Sequence, residues 1–473
     1  MITKLTEPKT THPTLGLDSN WVAAYNYIRF KYQRQDAYYV AVTDSSGFAR
    51  FDMSHIAATP GISPMVGDVI YASGDAYGTA CVVTAIDSIT VSGSPSIGIV
   101  TDLPYNGSAT GFINAVSERA NWRMEANLKV ETPSGFKTIA NTTYRALPNG
   151  TIWVEVQEFL KSYISNEYAY FDTGFNVEDA PSSIAFMLEH RQVFNGYETE
   201  DFTAEDTYYA VNAAMQAGMQ YAPNLLNHVV FDAQNAAKFL CGFIEPTMWK
   251  GYPFSLSFIS SEEGAGFSLV ETWYDVNRTQ IDTTNQGAIV HHPGKVNMLG
   301  LLRGVETSQP YNYMSVALCE STFPYNLATE NKMVRVKTPC GKNEVMLVWR
   351  NMLGGWDYYL FNNRHTEEIT VDNGVIFEPW VEDLASVSTQ QSTLSKTAFE
   401  TMQLAASGIG RNDVEGLTGL LKSIAIYTIE TATPYNLTRV IIEPRTWVIS
   451  DTKSPLSEIE FTIRKPKQFL QHE

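Results

Sequence analysis

The hydrophobic and polar positions of this chain read mostly as short alternating runs, and the sharpest lies at Val345-Met-Leu-Val-Trp-Arg-Asn-Met-Leu-Gly-Gly-Trp-Asp-Tyr-Tyr-Leu-Phe361. Val345, Leu347 and Trp349 fall on one side of a strand, Met346 and Val348 on the other. Asn351 to Gly355 is the expected turn, with Gly354-Gly355 supplying the positive φ that a tight connection needs. Asp357 to Phe361 is the expected return strand. Both sides are apolar, which predicts a central hairpin covered on both faces.

Elsewhere Trp21 to Tyr32, Ala37 to Thr43, Val66 to Tyr71 and Thr79 to Ile86 are rich in aromatic and β-branched residues and predict strands. Turn signals every eight to twelve residues point to sandwich or small barrel domains. Helical spacing predicts three exceptions. In Trp153 to Tyr163 the apolar positions are three, four and three apart, which favours a helix, although the first residues fit a strand equally. Thr203-Ala-Glu-Asp206 reads as a capping box opening a helix through Met219, closed by Pro223. Asn412-Asp-Val-Glu415 opens a third, with Val414, Leu417, Leu421 and Ile424 on one face. The fold class expected is mainly β, with a minor α+β component: several sandwich- or barrel-like domains and a few short helices. The organisation expected is an N-terminal arm at 1–16, free to lie on a neighbouring subunit, and a β domain at 17–110. An α+β region of one or two subdomains follows at 111–340. A C-terminal β domain spans 341–473, with its helix near 413–425.

Charge narrows the function. Fifty-one acids against 33 bases give a net charge of −18, so the surface repels phosphate backbones and sequence-specific nucleic-acid binding is not expected. Such a surface suits a wall past which DNA slides. Four scattered cysteines form no CxxC metal knuckle, and they fit synthesis in a reducing compartment. The N-terminus lacks an apolar signal core and no apolar run is long enough to span a bilayer.

The sequence carries few motifs of known chemistry. Phosphate-loop, nucleophile-elbow and zinc-helix motifs are missing from the sequence. His291-His292 reads as a loop pair, and Glu198, Glu200, Asp201, Glu205 and Asp206 as the solvated start of a helix. No cofactor and no metal are expected. Paired carboxylates for glycoside hydrolysis stay open among so many acids, as do sugar-stacking platforms built from the abundant Tyr and Trp.

Four stretches carry a resemblance. They are Val22-Ala-Ala-Tyr-Asn-Tyr-Ile-Arg-Phe30, Trp349-Arg-Asn-Met-Leu-Gly-Gly-Trp-Asp-Tyr-Tyr-Leu-Phe361, Leu420-Leu-Lys-Ser-Ile-Ala-Ile-Tyr427, and the closing strands Val440 to Trp447 with Ser457 to Arg464. Together they resemble structural tail proteins of tailed bacteriophages infecting Bacteroidetes, crAss-like phages included, with Tyr27 where those proteins carry proline. The resemblance implies a non-enzymatic virion protein made in the host bacterial cytoplasm and built into the tail. It implies a ring, collar or tail-hub role, with copies of itself in six- or twelve-fold rings and tail, portal or ring proteins as neighbours. The motif residues it marks are Trp349, Asn351, Gly354, Gly355, Trp356, Asp357, Tyr358 and Phe361. A host-glycan-binding tail module is the alternative, and a glycan-degrading tail enzyme stands behind that.

Overall fold

In a computed structural model the chain is mainly β, with several separate sheets and two short helices among the described residues. The structure describes residues 2–11, 18–34, 40–43, 50–52, 66, 69–72, 81–91, 94–101, 110–113, 115–118, 122–168, 176–179, 182–194, 197–198, 201–215, 225–230, 236–260, 266–289, 292–301, 311–320, 326–339, 344–362, 365–374, 376–377, 392–393, 396–430, 436–443, 457–466 and 468–469. Among these, no helix is long and apolar enough to cross a membrane.

The chain forms two compact units, each discontinuous in sequence. The first comprises Met1–Lys9, Tyr27–Lys161 and Ala185–Tyr208, and the second Thr10–Asn26, Ser162–Ile184 and Tyr209–Glu473. These units interleave along the chain, unlike the consecutive segments expected from composition.

In the first unit, Arg29–Arg34 is the centre of a three-stranded sheet, flanked by Ile2–Thr6 and Thr151–Glu155, both antiparallel. The N-terminal segment expected to be a loose arm is therefore a sheet edge over Ile2–Thr6. Residues 12–17 lie outside the described set. Thr151–Glu155 also settles the two readings of 153–163: the first residues are strand and helix follows. Ile152 and Val154 are buried while Trp153 points out, the period of a strand, and helix begins only at Gln157–Lys161. A three-four spacing over so few residues fits both periods, and pairing with Arg29–Arg34 decides it.

The helix expected over 203–219 is replaced by strands at Thr203–Ala204 and Tyr208–Val211. Residues 209–211 pair in parallel with Trp21–Ala23, and Ala210 and Val211 are fully buried. Tertiary pairing overrides the local capping signal here. Residues 216–224 lie outside the described set.

The second unit holds the predicted hairpin. Val345–Arg350 pairs with Trp356–Phe361 in unbroken register from Val345↔Phe361 to Arg350↔Trp356. The pair sits at one end of an eight-stranded sheet whose other end is Thr366–Asn373. Alternation sorts the side chains as expected. Met346, Val348, Trp356, Tyr358 and Leu360 enter one core, shared with strands of a four- and a five-stranded sheet. Leu347, Trp349 and Phe361 enter a second core beneath the helix Arg411–Lys422.

That helix buries Val414, Leu417 and Leu420, while Ile424 lies beyond its end and is exposed. Its expected capping box is not used. The N-cap is Gly410, and Asp413 is instead paired with Arg335. An ion pair reaching another strand takes the side chain that the local rule had reserved for the helix end.

Candidate functional site

The marked motif residues come together, but as a buried hub and not as a surface. Trp349, Asn351, Trp356, Asp357, Tyr358 and Phe361 are all buried. Only Gly354 of the two turn glycines has positive φ, at +92°. Gly355 serves another need: a Cβ there would overlap the backbone carbonyl of Leu240.

Asn351 explains that closeness. Its Oδ1 accepts from the Leu353 and Gly355 amides at 2.9 and 3.1 Å, and its Nδ2 donates to the Leu240 carbonyl at 2.9 Å. One side chain thus shapes the turn and fastens it to the segment at Leu240. An Asn within a turn, bonding forward to backbone amides, is a local device. Its third bond reaches a segment 111 residues away and has no sequence signature.

Beside the turn, Arg350 and Asp179 form an ion pair at 2.5 Å with side chains 3% and 0% exposed. Asp179 also accepts from Trp356 Nε1 at 3.0 Å, and Arg350 donates to the Gly354 carbonyl at 2.9 Å while its guanidinium lies 4.0 Å over the Trp356 ring. Asp179 carried no signal in the sequence, since nothing local marks an acid whose partner is 171 positions away.

Asp357 completes the hub. Both its oxygens accept from the Gly242 amide at 3.1 Å. Burial pushes its carboxyl up to about 6, against the smaller opposing pull of Gly242 and Asn351. The folded chain therefore holds a proton there that the unfolded chain, near 3.8, releases sooner. The sign follows: this stabilisation is complete below about pH 4 and is lost as pH rises through 6. Lowering pH from 7 to 5 is expected to raise the second unit's unfolding midpoint, by an amount worth at most about 1–2 kcal/mol. Asp357→Asn is expected to flatten the dependence. Thermal unfolding across that pH range checks it, and an unchanged slope in the variant would remove Asp357 as the cause.

A cleft of about 110 Å³ opens near the hub, lined by Tyr25, Asn212, Arg350, Asn351 and Lys422 among others. It is smaller than the usual site for a drug-sized ligand. Among the described residues, no cluster of three or more His, Cys, Asp or Glu side chains is arranged to hold a metal. His291 lies outside the described set.

The first unit has its own polar network. Glu205, expected to be a solvated acid at a helix start, is enclosed instead. It accepts from Lys4 at 2.7 Å and from Tyr32 at 2.9 Å, and lies 3.1 Å from His190 Nε2. Lys4 also holds Glu7 at 2.7 Å, and Glu7 accepts from Tyr208 at 2.6 Å. Burial pushes the Glu205 carboxyl up, but the bonds from His190, Lys4 and Tyr32 outweigh it and hold it at about 2. This network ties the N-terminal strand to its sheet.

Two surfaces remain. In the first unit Tyr27 and Trp153 are 68% and 46% exposed. Arg29 lies 4.1 Å over the Tyr27 ring and Lys31 is 5.0 Å from the Trp153 ring. In the second unit, Ile369 and Val371 of Thr366–Asn373 are 61% and 51% exposed on a strand whose described residues are open to solvent on both faces. Compared with models of known protein families and with curated proteins, the chain matches none.

Proposed function

We propose that this chain is a structural component of a tailed-bacteriophage virion, a ring, collar or tail-hub protein that associates with copies of itself around the DNA channel. The resemblance of its hairpin, opening strand and closing strands to such tail proteins supports this reading. One structural observation carries it: the sheet-edge strand Thr366–Asn373 leaves Ile369 and Val371 open to solvent. Sheet edges pair with another chain unless they are shortened, bulged, covered or charged. This one is neither short nor bulged, and its Glu367, Glu368 and Asp372 oppose pairing with itself while leaving a partner of opposite charge favoured. Its register with Lys396–Gln403 is unbroken over all eight residues. The edge therefore fits a protein whose final form is an assembly.

Two further features agree. The buried Arg350–Asp179 pair and the Asn351 clasp tie the hairpin turn to distant segments, which fixes the turn within the second unit as a rigid assembly part requires. The charge of −18 suits an inner wall that does not retain DNA. Made in the host bacterial cytoplasm, the protein would join portal, ring or tail neighbours during assembly.

Electron microscopy of the purified full chain, and of phage particles labelled with an antibody against it, tests this. The expected results are closed cyclic assemblies and label on the tail. A chain that stays monomeric at high concentration and never labels particles would overturn the reading. The glycan-binding alternative has the exposed Trp153 ring in its favour, and a glycan array decides it.

A further inference from the structure

We infer that the edge strand Thr366–Asn373 of one copy docks on the Tyr27/Arg29/Lys31/Trp153 face of a second copy, head to tail. The inference rests on the assembly reading above and names its contact.

The two surfaces differ in charge as partners should. Thr366–Asn373 carries Glu367, Glu368 and Asp372 and no base. Two such strands laid side by side would set carboxylate against carboxylate, so the edge does not favour pairing with itself. The Arg29–Arg34 and Thr151–Glu155 strands present Arg29, Lys31, Trp153 and Glu155 on their outer face. Arg29 is held by Glu155 at 2.6 Å, while Lys31 has no carboxylate partner among the described residues. Among the described residues of these two strands, the outer face sets two bases against one acid, so it is net positive although the chain's net charge is −18. That sign favours an acidic partner surface.

Residue type agrees with charge. Exposed Trp, Tyr and Arg together are the composition of interface anchor points. Ile369 and Val371, two positions apart, offer a matching apolar stripe about 7 Å long. A contact between two different surfaces of one chain is heterologous, and it closes into a ring when the rotation closes.

The test uses the full chain and charge reversal. One variant carries R29E and K31E, the other E367K and E368K. Sedimentation velocity follows association, and circular dichroism verifies that each variant folds. Each variant alone is expected to associate at least about tenfold more weakly than the parent. Mixed in equal amounts they are expected to recover association. The reversed strand then meets the native face's replacement, the parental pair of surfaces meets unchanged, and neither variant contacts its own kind. Recovery on mixing also excludes misfolding as the cause of the loss. If both variants assemble like the parent, this contact is wrong while the ring reading stands. Loss in both variants without recovery on mixing likewise overturns the contact. A parent chain that is monomeric yet labels virions also overturns it, and one that is monomeric and labels none overturns the ring reading as well.

Discussion

Replacing Asp179 with alanine is expected to lower the unfolding free energy of the second unit by about 3–5 kcal/mol, because it strands a charge in the protein interior. Asp179 is fully buried and accepts from the Arg350 guanidinium and from Trp356 Nε1. Without it, Arg350 keeps the Gly354 carbonyl at 2.9 Å and a long contact with the Glu167 carbonyl at 3.4 Å. Two neutral acceptors do not replace a carboxylate for a side chain 3% exposed. The Trp356 indole N–H also loses its acceptor, a further unsatisfied buried donor. Removing both charges tells a different story. Asp179→Leu combined with Arg350→Met is expected to regain most of the loss, since apolar residues of similar volume often replace a buried pair without penalty. Urea unfolding of the parent, Asp179→Leu, Arg350→Met and the double closes the cycle. A loss below about 1 kcal/mol in Asp179→Ala would mean that water reaches Arg350 and that the pair is not sealed.

Gly355→Ala is the second large effect, with an expected loss of about 3 kcal/mol. The added methyl would meet the Leu240 carbonyl and Cβ. Leu240 has nowhere to retreat. Its amide donates to the Ser257 carbonyl at 2.7 Å, and its own carbonyl receives Asn351 Nδ2 at 2.9 Å. The turn would have to release that clasp to admit the methyl. Gly410→Ala is the matched comparison, because a Cβ there meets nothing within 4 Å, and its loss is expected to stay under about 1 kcal/mol. Equal losses at the two positions would show that the turn admits a methyl at 355 and that close approach to Leu240 does not require glycine there.

These two sites also separate what local pattern encodes from what it does not. The alternation in Val345 to Phe361 announced the hairpin, its turn and the partition of its side chains between two cores. The partition follows from the backbone alone, since successive side chains in a strand point to opposite faces whatever the rest of the chain does. Pattern likewise announced a mainly-β chain and, from helical spacing, a helix near 413–425, which spans Arg411–Lys422. It left the start of Trp153 to Tyr163 open between strand and helix, and its capping signal at Thr203 to Asp206 pointed to a helix where strands form. Apolar residues three and four apart fit either period over a short stretch, a capping box is a local signal, and the strand partners that decided both lie far away in sequence.

The hub was half legible. Gly354 and the two bonds from Asn351 Oδ1 carry turn chemistry that acts within four residues, so sequence alone set those roles, while the Asn351 bond to Leu240 did not show in it. Asp179, the closeness of Gly355 to Leu240, and the enclosure of Glu205 by Lys4, Tyr32 and His190 belong to tertiary structure only. Each depends on which distant segment is brought alongside, and a carboxylate or a glycine looks the same in the sequence whether it faces water or a buried guanidinium. Local sterics act over a few residues and leave a periodic trace. Burial and ion pairing act through space and leave none.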